Sequence, residues 1–245
     1  MNVLIENKKE ERRILKFTEG IKVGVPIAIG YIPIAITFGL ISKSANIEYY
    51  ITIAMSIFIF AGASQFMGVS LIAGGASALE IILTTFILNF RHFLMSSSLS
   101  QRIEDNTSKK FLSLISFGIT DETFAVASMR KEDKINSWFL LGLNTIAYFS
   151  WVGGTIVGLF LGDAIPNSLK ESMGIALYVM FIGLLVPSLK GSKSIEAVVL
   201  TAVIVNCTIK WIPALSFISL GWGIIISTIA AAAMGALVFP IEEVQ

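Results

Sequence analysis

The sequence has few of the residues on which disulfides and metal sites depend. Among its 245 residues there is one cysteine, Cys207, and one histidine, His92. A lone cysteine excludes an intrachain disulfide, and one histidine with one cysteine argues against a built metal site. Only 14% of the residues are charged, and no basic stripe suited to nucleic acid lies beyond the amino-terminal end. No cofactor is therefore indicated.

Apolar residues are abundant instead, at 55% of the chain. They form repeated runs of about 20 residues, which is the length that crosses a bilayer as a helix. The pattern predicts an all-α, polytopic helical membrane bundle. We expect a basic cytoplasmic segment over 1–20, with no cleaved signal peptide, and a single transmembrane domain over 21–240.

We predict about eight membrane segments. Their positions are 23–42, 51–73, 79–99, 111–129, 138–161, 173–189, 195–209 and 212–239. The segment 111–129 carries two acids at its centre, and the count falls to seven if it does not cross. Crossing keeps Arg130 on the amino-terminal side and puts Arg102, Lys109 and Lys110 on the other, an asymmetry that the positive-inside rule favours.

A weak internal repeat bears on the same question. Leu83-Thr84, followed by Asn89, recurs as Leu200-Thr201, followed by Asn206. Seven spans would make the two repeats inverted, as in many secondary transporters, and eight would make them parallel. Chance similarity among apolar helices explains such a match equally well.

An arginine and the histidine lie inside the segment 79–99. A full charge at that depth costs roughly 3 kcal/mol, so Arg91 should face a polar interior. It could form a structural ion pair, or bind a substrate carboxylate with both arms of its guanidinium. His92 is suited to an interior hydrogen bond or to proton relay. Asn89 shares its helix face.

Polar residues in three further segments complete the candidate site. Gln65 needs partners in the membrane, and we expect it to touch substrate or the Arg91 network. Asp121 and Glu122 are either solvated at the surface or serve as counter-charge and proton acceptor. Asn144 lies on a polar face of its helix. The candidate substrate-binding residues are Arg91, Gln65, Asn89, His92 and Asn144, and those for proton coupling or counter-charge are Asp121, Glu122 and His92.

The chain resembles the AzlC family, also called YgaZ-like proteins, which are large subunits of branched-chain amino acid exporters. Five stretches carry the resemblance in family order. They are residues 31–40 (YIPIAITFGL), 61–66 (AGASQF), 89–92 (NFRH), 117–125 (FGITDETFA) and 150–155 (SWVGGT).

The resemblance implies a secondary transporter, not an enzyme, that exports valine, leucine and isoleucine, with methionine as a further candidate. It also implies proton coupling, a small AzlD-type membrane subunit as partner, and the cytoplasmic membrane of a prokaryote. Some family members have aspartate where this chain has Asn89, so a carboxylate role at that position does not transfer.

Two other classes of function remain open at this stage. The chain could be a channel or scaffold subunit for another small solute. It could also be an intramembrane serine hydrolase, because Ser64 and His92 lie on successive segments. That pair lacks both the Gly-x-Ser-x-Gly elbow and a third orienting group, which makes it the weakest of the three hypotheses.

Overall fold

The computed structural model describes residues 2–105, 107–161, 164 and 166–240. Over these residues the chain forms ten α-helices and no β-strand, which confirms the predicted all-α class. The helices are α1 Asn2–Ser44, α2 Tyr49–Phe58, α3 Gly62–Ala73, α4 Ala78–Ser100, α5 Lys109–Phe117, α6 Asp121–Ser128, α7 Ser137–Leu161, α8 Asn167–Leu189, α9 Lys193–Trp211 and α10 Leu220–Val238.

Within the described residues, five helices are long and apolar enough to cross a membrane, and six if α5 and α6 count as one bent span. The predicted count of eight is therefore not confirmed. Five predicted spans, 23–42, 79–99, 138–161, 173–189 and 195–209, lie inside α1, α4, α7, α8 and α9. The predicted span 51–73 is instead two short helices, α2 and α3.

The chain divides into two compact units. One comprises Met1–Gln65 and Asn89–Gly174, and the other comprises Phe66–Leu88 and Ile175–Gln245. Helix α1 runs without a break through the predicted boundary between the basic segment and the membrane domain, 1–20 and 21–240. That division of the chain stays a prediction.

Helices α1 and α7 form the backbone of the first unit and pack at very short range. A Cβ atom at Gly142 would lie 2.0 Å from the carbonyl oxygen of Phe17, and one at Gly158 would lie 2.2 Å from that of Ile36. Contacts along α1 and α7 follow the same chain order, so the two helices are parallel. Glycine allows this approach because it places no side chain between the two backbones.

Helix α2 packs against α7, and a turn at residues 59–61 connects it to α3. The ring of Tyr49, at the start of α2, packs on Phe160, near the end of α7. Further along α2, the hydroxyl of Ser56 lies 2.8 Å from that of Thr155. The Gln65 amide of α3 then donates to Ser56 across 3.1 Å. Helix α2 therefore starts at the Phe160 end of α7 and runs antiparallel to it.

Helices α5 and α6 form a hairpin, in which the chain bends by 119° at the break between the two helices. Near the start of α5, Phe111 packs on Trp138 at the beginning of α7. After α6 the chain is back at the same level, because the guanidinium of Arg102 donates to the carbonyl oxygens of Ser128 and Arg130. The segment 111–129 thus enters and leaves at one end of the unit and does not cross it.

We call this end, marked by Arg12, Arg102, Lys109, Arg130 and Trp138, the basic end. The eight-span arrangement would put Arg102, Lys109 and Lys110 on the opposite side, and the hairpin geometry corrects that placement. Arg130 ties the loop after α6 to α1 through a 2.7 Å ion pair with Glu19.

The same guanidinium hydrogen-bonds the exposed carboxyl of Glu132 and lowers its pKa to about 2. The positive residues of three separate segments therefore gather at one end of this unit.

The hairpin predicts the sides from which introduced cysteines react. In a Cys207→Ser background, we expect Lys110→Cys and Asp133→Cys to react with a membrane-impermeant maleimide from one side. We expect Ser44→Cys, at the end of α1, to react only from the other side. The measurement is labelling of intact cells against inverted membrane vesicles. Labelling of positions 110 and 133 from opposite sides would show that 111–129 crosses.

The α1–α7 contact predicts a large difference between two glycines of one helix. Gly142→Ala should lower the free energy of unfolding by about 1–3 kcal/mol, because the new methyl group overlaps the backbone of α1. The matched control is Gly153→Ala, since no atom lies within 4 Å of a Cβ atom there. Thermal unfolding of the purified variants measures both, and equal midpoints would contradict the proposed packing.

Candidate functional site

Aromatic rings connect the turn between α2 and α3 to the end of α5. Phe60, in the turn between α2 and α3, lies 6.3 Å from Phe117 at the end of α5, measured between ring centroids. Tyr148 of α7 lies 5.2 Å from Phe60 and 6.0 Å from Phe117. Phe60 is 3% exposed and Phe117 is 44% exposed, so this cluster runs from the buried turn after α2 toward the surface of the first unit.

The backbone at the turn between α2 and α3 is held in an uncommon conformation. Phe60 has a φ angle of 46°, in the left-handed region that a bulky side chain rarely adopts. The residue is almost completely buried. Such strain persists only where the surroundings enforce it, and it concentrates at functional sites.

At the break between α5 and α6, the amino terminus of α6 points into the interior. Thr120 and Thr123 cap it reciprocally: the Thr120 N–H donates to the Thr123 hydroxyl across 2.8 Å, and the Thr123 N–H donates to the Thr120 hydroxyl across 3.3 Å. Two acids, Asp121 and Glu122, occupy the first turn. The partial positive charge of a helix amino terminus stabilises carboxylates in this position.

Arg91 of α4 forms an ion pair with the first of these acids. Its Nη1 atom lies 3.0 Å from a carboxylate oxygen of Asp121. The arginine side chain is 34% exposed and that of the aspartate is 23% exposed, so the pair can be reached from outside the packed interior. The structure thus brings together two residues that the sequence places 30 positions apart.

Glu122 is bound to α1 instead. Its carboxylate accepts a hydrogen bond from the hydroxyl of Tyr31, which also lies 2.7 Å from the Thr120 hydroxyl. The Tyr31 ring packs edge-on against Trp151, with centroids 5.5 Å apart, and against Phe60. Tyr31 therefore links the acidic turn of α6 to the aromatic cluster.

His92 binds the break between α5 and α6. Its Nδ1 atom lies 2.9 Å from the carbonyl oxygen of Ile119, which requires the proton on Nδ1. In the neutral ring, Nε2 is then an acceptor. Nε2 of His92 and Oδ1 of Asn89 are both buried and have no hydrogen-bond partner among the described residues.

Gln65 is bound by protein groups at both ends of its amide. It is fully buried, and its side-chain oxygen accepts from the N–H of Ala61 and from the indole of Trp151, at 3.1 and 3.0 Å. Its amide nitrogen donates to Ser56. Because protein groups bind both its side-chain oxygen and its side-chain nitrogen, Gln65 fixes the turn between α2 and α3.

Asn144 of α7 holds the end of α5 in place. Its amide donates to the carbonyl oxygen of Ile115 across 2.9 Å. A Cβ atom at Gly118 would lie only 2.6 Å from that of Asn144, so the tip of α5 rests directly on α7. Of the predicted site residues, Arg91, His92, Asp121 and Glu122 lie together at the break between α5 and α6. Asn144 of α7 contacts the end of α5 just before this break. Gln65 lies in the first turn of α3.

Sequence reasoning missed the roles of Tyr31 and Glu80, which are both buried. Tyr31 could have been noticed as a tyrosine far from either end of its span. Glu80, in the second unit, is 5% exposed and accepts hydrogen bonds from the Ser219 hydroxyl and from the Gly221 N–H, the latter at 3.0 Å. It caps α10 from the first turn of α4. The signal was an acid just inside a predicted span.

The geometry also bears on the hydrolase hypothesis. The hydroxyl of Ser64 donates to the carbonyl oxygen of Ala61 across 2.9 Å, whereas His92 binds Ile119. No hydrogen bond joins Ser64 to His92 in the described part of the chain. Over the same residues, no group of three or more histidine, cysteine, aspartate or glutamate side chains is placed to bind a metal.

These features define a multi-pass helical membrane protein with a charged site at the break between α5 and α6. The family described as AzlC protein matches residues 26–165, a range that contains the α5–α6 hairpin and every candidate site residue. The chain belongs to the AzlC family.

Its relatives are membrane proteins of bacteria and archaea. An uncharacterized membrane protein of Archaeoglobus fulgidus is 35% identical over 71% of this chain and 77% of its own. Inner membrane protein YgaZ of Escherichia coli is 32% identical over 73% and 76%. The branched-chain amino acid transport protein AzlC of Bacillus subtilis is 26% identical over 64% and 62%. No solved structure matches the chain.

Proposed function

We propose that this protein is a secondary transporter that exports branched-chain amino acids, working with a small AzlD-type subunit. The observation that carries the proposal is the α5–α6 break, where Arg91, Asp121, Glu122 and His92 gather beside aromatic rings. The name of the Bacillus subtilis relative, a branched-chain amino acid transport protein, supports the substrate class.

The candidate site has a partner for each part of a zwitterionic substrate. The Arg91 guanidinium binds the substrate carboxylate, and Asp121 binds its amino group. Because these two side chains pair with each other at 3.0 Å, the substrate exchanges one ion pair for two and leaves no charge uncompensated. The apolar side chain then packs against Phe60, Phe117 and Tyr148.

Export is proposed to be coupled to protons through Glu122. The Glu122 carboxylate accepts a charge-assisted hydrogen bond from Tyr31, and protonation removes the charge and so weakens this bond. Since Tyr31 belongs to α1 and Glu122 to α6, protonation changes the bond between the scaffold and the hairpin. Asp121 remains the counter-charge of Arg91, and His92 is a second candidate for proton relay.

The proposed orientation puts the amino terminus and the basic end in the cytoplasm. Positive residues concentrate on the cytoplasmic side of membrane proteins. Arg12, Arg102, Lys109 and Arg130 all belong to the basic end, which supports this orientation. The protein would then lie in the cytoplasmic membrane of a prokaryote, with the segment 1–20 inside the cell.

The first test of transport concerns Arg91. Reconstituted with its small subunit, the protein should move leucine, valine and isoleucine down their gradients, with saturable and stereoselective flux. Arg91→Ala should lower flux at least about a hundredfold, because two charge-assisted hydrogen bonds are lost. Flux of a panel of radiolabelled L-amino acids in proteoliposomes measures this effect.

The matched control is Lys131→Ala, which removes one exposed positive charge from the loop after α6. Normal expression of both variants excludes a folding defect. Intact transport by Arg91→Ala would remove Arg91 from the site. Flux that neither saturates nor distinguishes L- from D-leucine would indicate a channel.

The second test concerns coupling. Glu122→Gln mimics the protonated carboxyl, so a pH gradient should no longer drive leucine accumulation, while exchange of leucine for leucine continues. The control is Asp133→Asn, an exposed acid outside the candidate site. Both activities are measured in the same proteoliposomes. Full pH-driven accumulation by Glu122→Gln would exclude Glu122 as the coupling residue and leave the role of Arg91 untouched.

A further inference from the structure

A cavity of about 530 Å³ opens at the basic end, away from the candidate transport site. It lies where the first half of α1 meets the beginnings of α5 and α7. Its lining is mostly polar or charged and includes Arg12, Arg13, Thr107, Ser137 and Trp138.

Two arginines supply positive charge to this cavity. Neither Arg12 nor Arg13 forms an ion pair with an acid in the described part of the chain. The Arg13 guanidinium lies 5.4 Å above the ring of Trp138, which itself packs on Phe111 with centroids 4.9 Å apart. A guanidinium positioned by an aromatic ring is well suited to bind phosphate oxygens through two parallel hydrogen bonds.

Two hydroxyl groups face the same cavity without a partner. The Thr107 hydroxyl oxygen is buried and makes no hydrogen bond with any described residue. Ser137 is 5% exposed, and its hydroxyl likewise has no hydrogen bond within the described residues. A buried donor left unpaired is costly, so the Thr107 hydroxyl favours an acceptor in the cavity, and the Ser137 hydroxyl can donate to the same acceptor.

The backbone adds to this preference for an anion. Helix α5 begins beside the cavity after its cap, Ser108, and helix α7 begins there at Ser137. Neither helix has an acid in its first turn. Helix amino termini carry partial positive charge and bind phosphate groups.

Glu104 limits the negative charge of a ligand that can bind in the cavity. Glu104 is part of the lining, and its two oxygens accept hydrogen bonds from the Asn136 amide at 3.1 and 3.0 Å. This fixed negative charge disfavours a dianion. Inorganic phosphate is partly dianionic at neutral pH, whereas a phosphodiester carries a single negative charge.

We propose that this cavity binds the phosphodiester headgroup of an anionic phospholipid, such as phosphatidylglycerol. Arg12 and Arg13 bind the phosphate oxygens, Thr107 and Ser137 donate to them, and Trp138 lies at the membrane interface, where tryptophan is enriched. Basic sites beside membrane helices are typical of headgroup recognition. The exposed Leu114 of α5, one turn beyond Phe111, offers a surface for an acyl chain.

Native mass spectrometry of the purified full chain tests this site. The wild type should retain one phosphatidylglycerol molecule in preference to phosphatidylcholine. Arg12→Gln/Arg13→Gln should bind phosphatidylglycerol at least about tenfold more weakly. Thr107→Val/Ser137→Ala keeps every charge and should also weaken binding. The control, Lys22→Gln/Lys131→Gln, removes two positive charges elsewhere and should bind as the wild type does.

Each outcome decides the proposal. Unchanged phosphatidylglycerol binding by Arg12→Gln/Arg13→Gln would overturn it, as would an equal loss in the control, which would indicate general electrostatic attraction. Displacement of the lipid by millimolar inorganic phosphate would show a site for free phosphate instead. The measurement requires no transport, so its result is independent of the proposed export function.

Discussion

The close approach of α1 and α7 is the constraint on which the first unit depends. Glycines on both helices bring the two backbones within contact distance, and this fixes the register between them. That register places Tyr31 of α1 beside Trp151 of α7. The two side chains then hold two different turns, since Trp151 binds Gln65 after the turn between α2 and α3, and Tyr31 binds Glu122 at the start of α6.

A second constraint is that backbone polar groups in a membrane need hydrogen-bond partners. Irregular backbone is tolerated at that depth only where protein covers it or where it lines a polar cavity. At the α5–α6 break, the Ile119 carbonyl is bound by His92, and the Thr120 N–H is bound by Thr123. The interruption that exposes these groups also directs the amino terminus of α6 and its two acids into the interior.

Hydropathy located most of the helices but could not decide whether the segment 111–129 crosses, for one physical reason. A straight span and a hairpin of equal length have the same composition, so only tertiary contacts distinguish them. The pair Asp121-Glu122 at the centre of the segment 111–129 was the visible signal of a break. The ion pair of Arg91 with Asp121 was foreseen as one alternative, because a charge inside an apolar segment requires an opposite charge nearby.

Other roles could not be read from the sequence. Gln65 was expected to touch substrate or the Arg91 network, because an amide in the membrane must find partners. Its partners are Trp151 of α7 and Ser56 of α2. The sequence pattern could not identify them, because both lie on helices other than that of Gln65. Tyr31 was overlooked because nothing in its local sequence reveals the carboxylate that it meets 91 positions away.

The length of α1 has a mechanical consequence. Its 43 residues form one uninterrupted helix, and at 1.5 Å per residue it measures about 65 Å, roughly twice the hydrocarbon thickness of a bilayer. A helix of that length is longer than the hydrocarbon core is thick, and the same helix carries Tyr31, whose hydroxyl binds Glu122 of α6. Pro26 and Pro33 lie on either side of Tyr31 in this helix, so a bend at either proline would move that hydroxyl relative to the acidic turn.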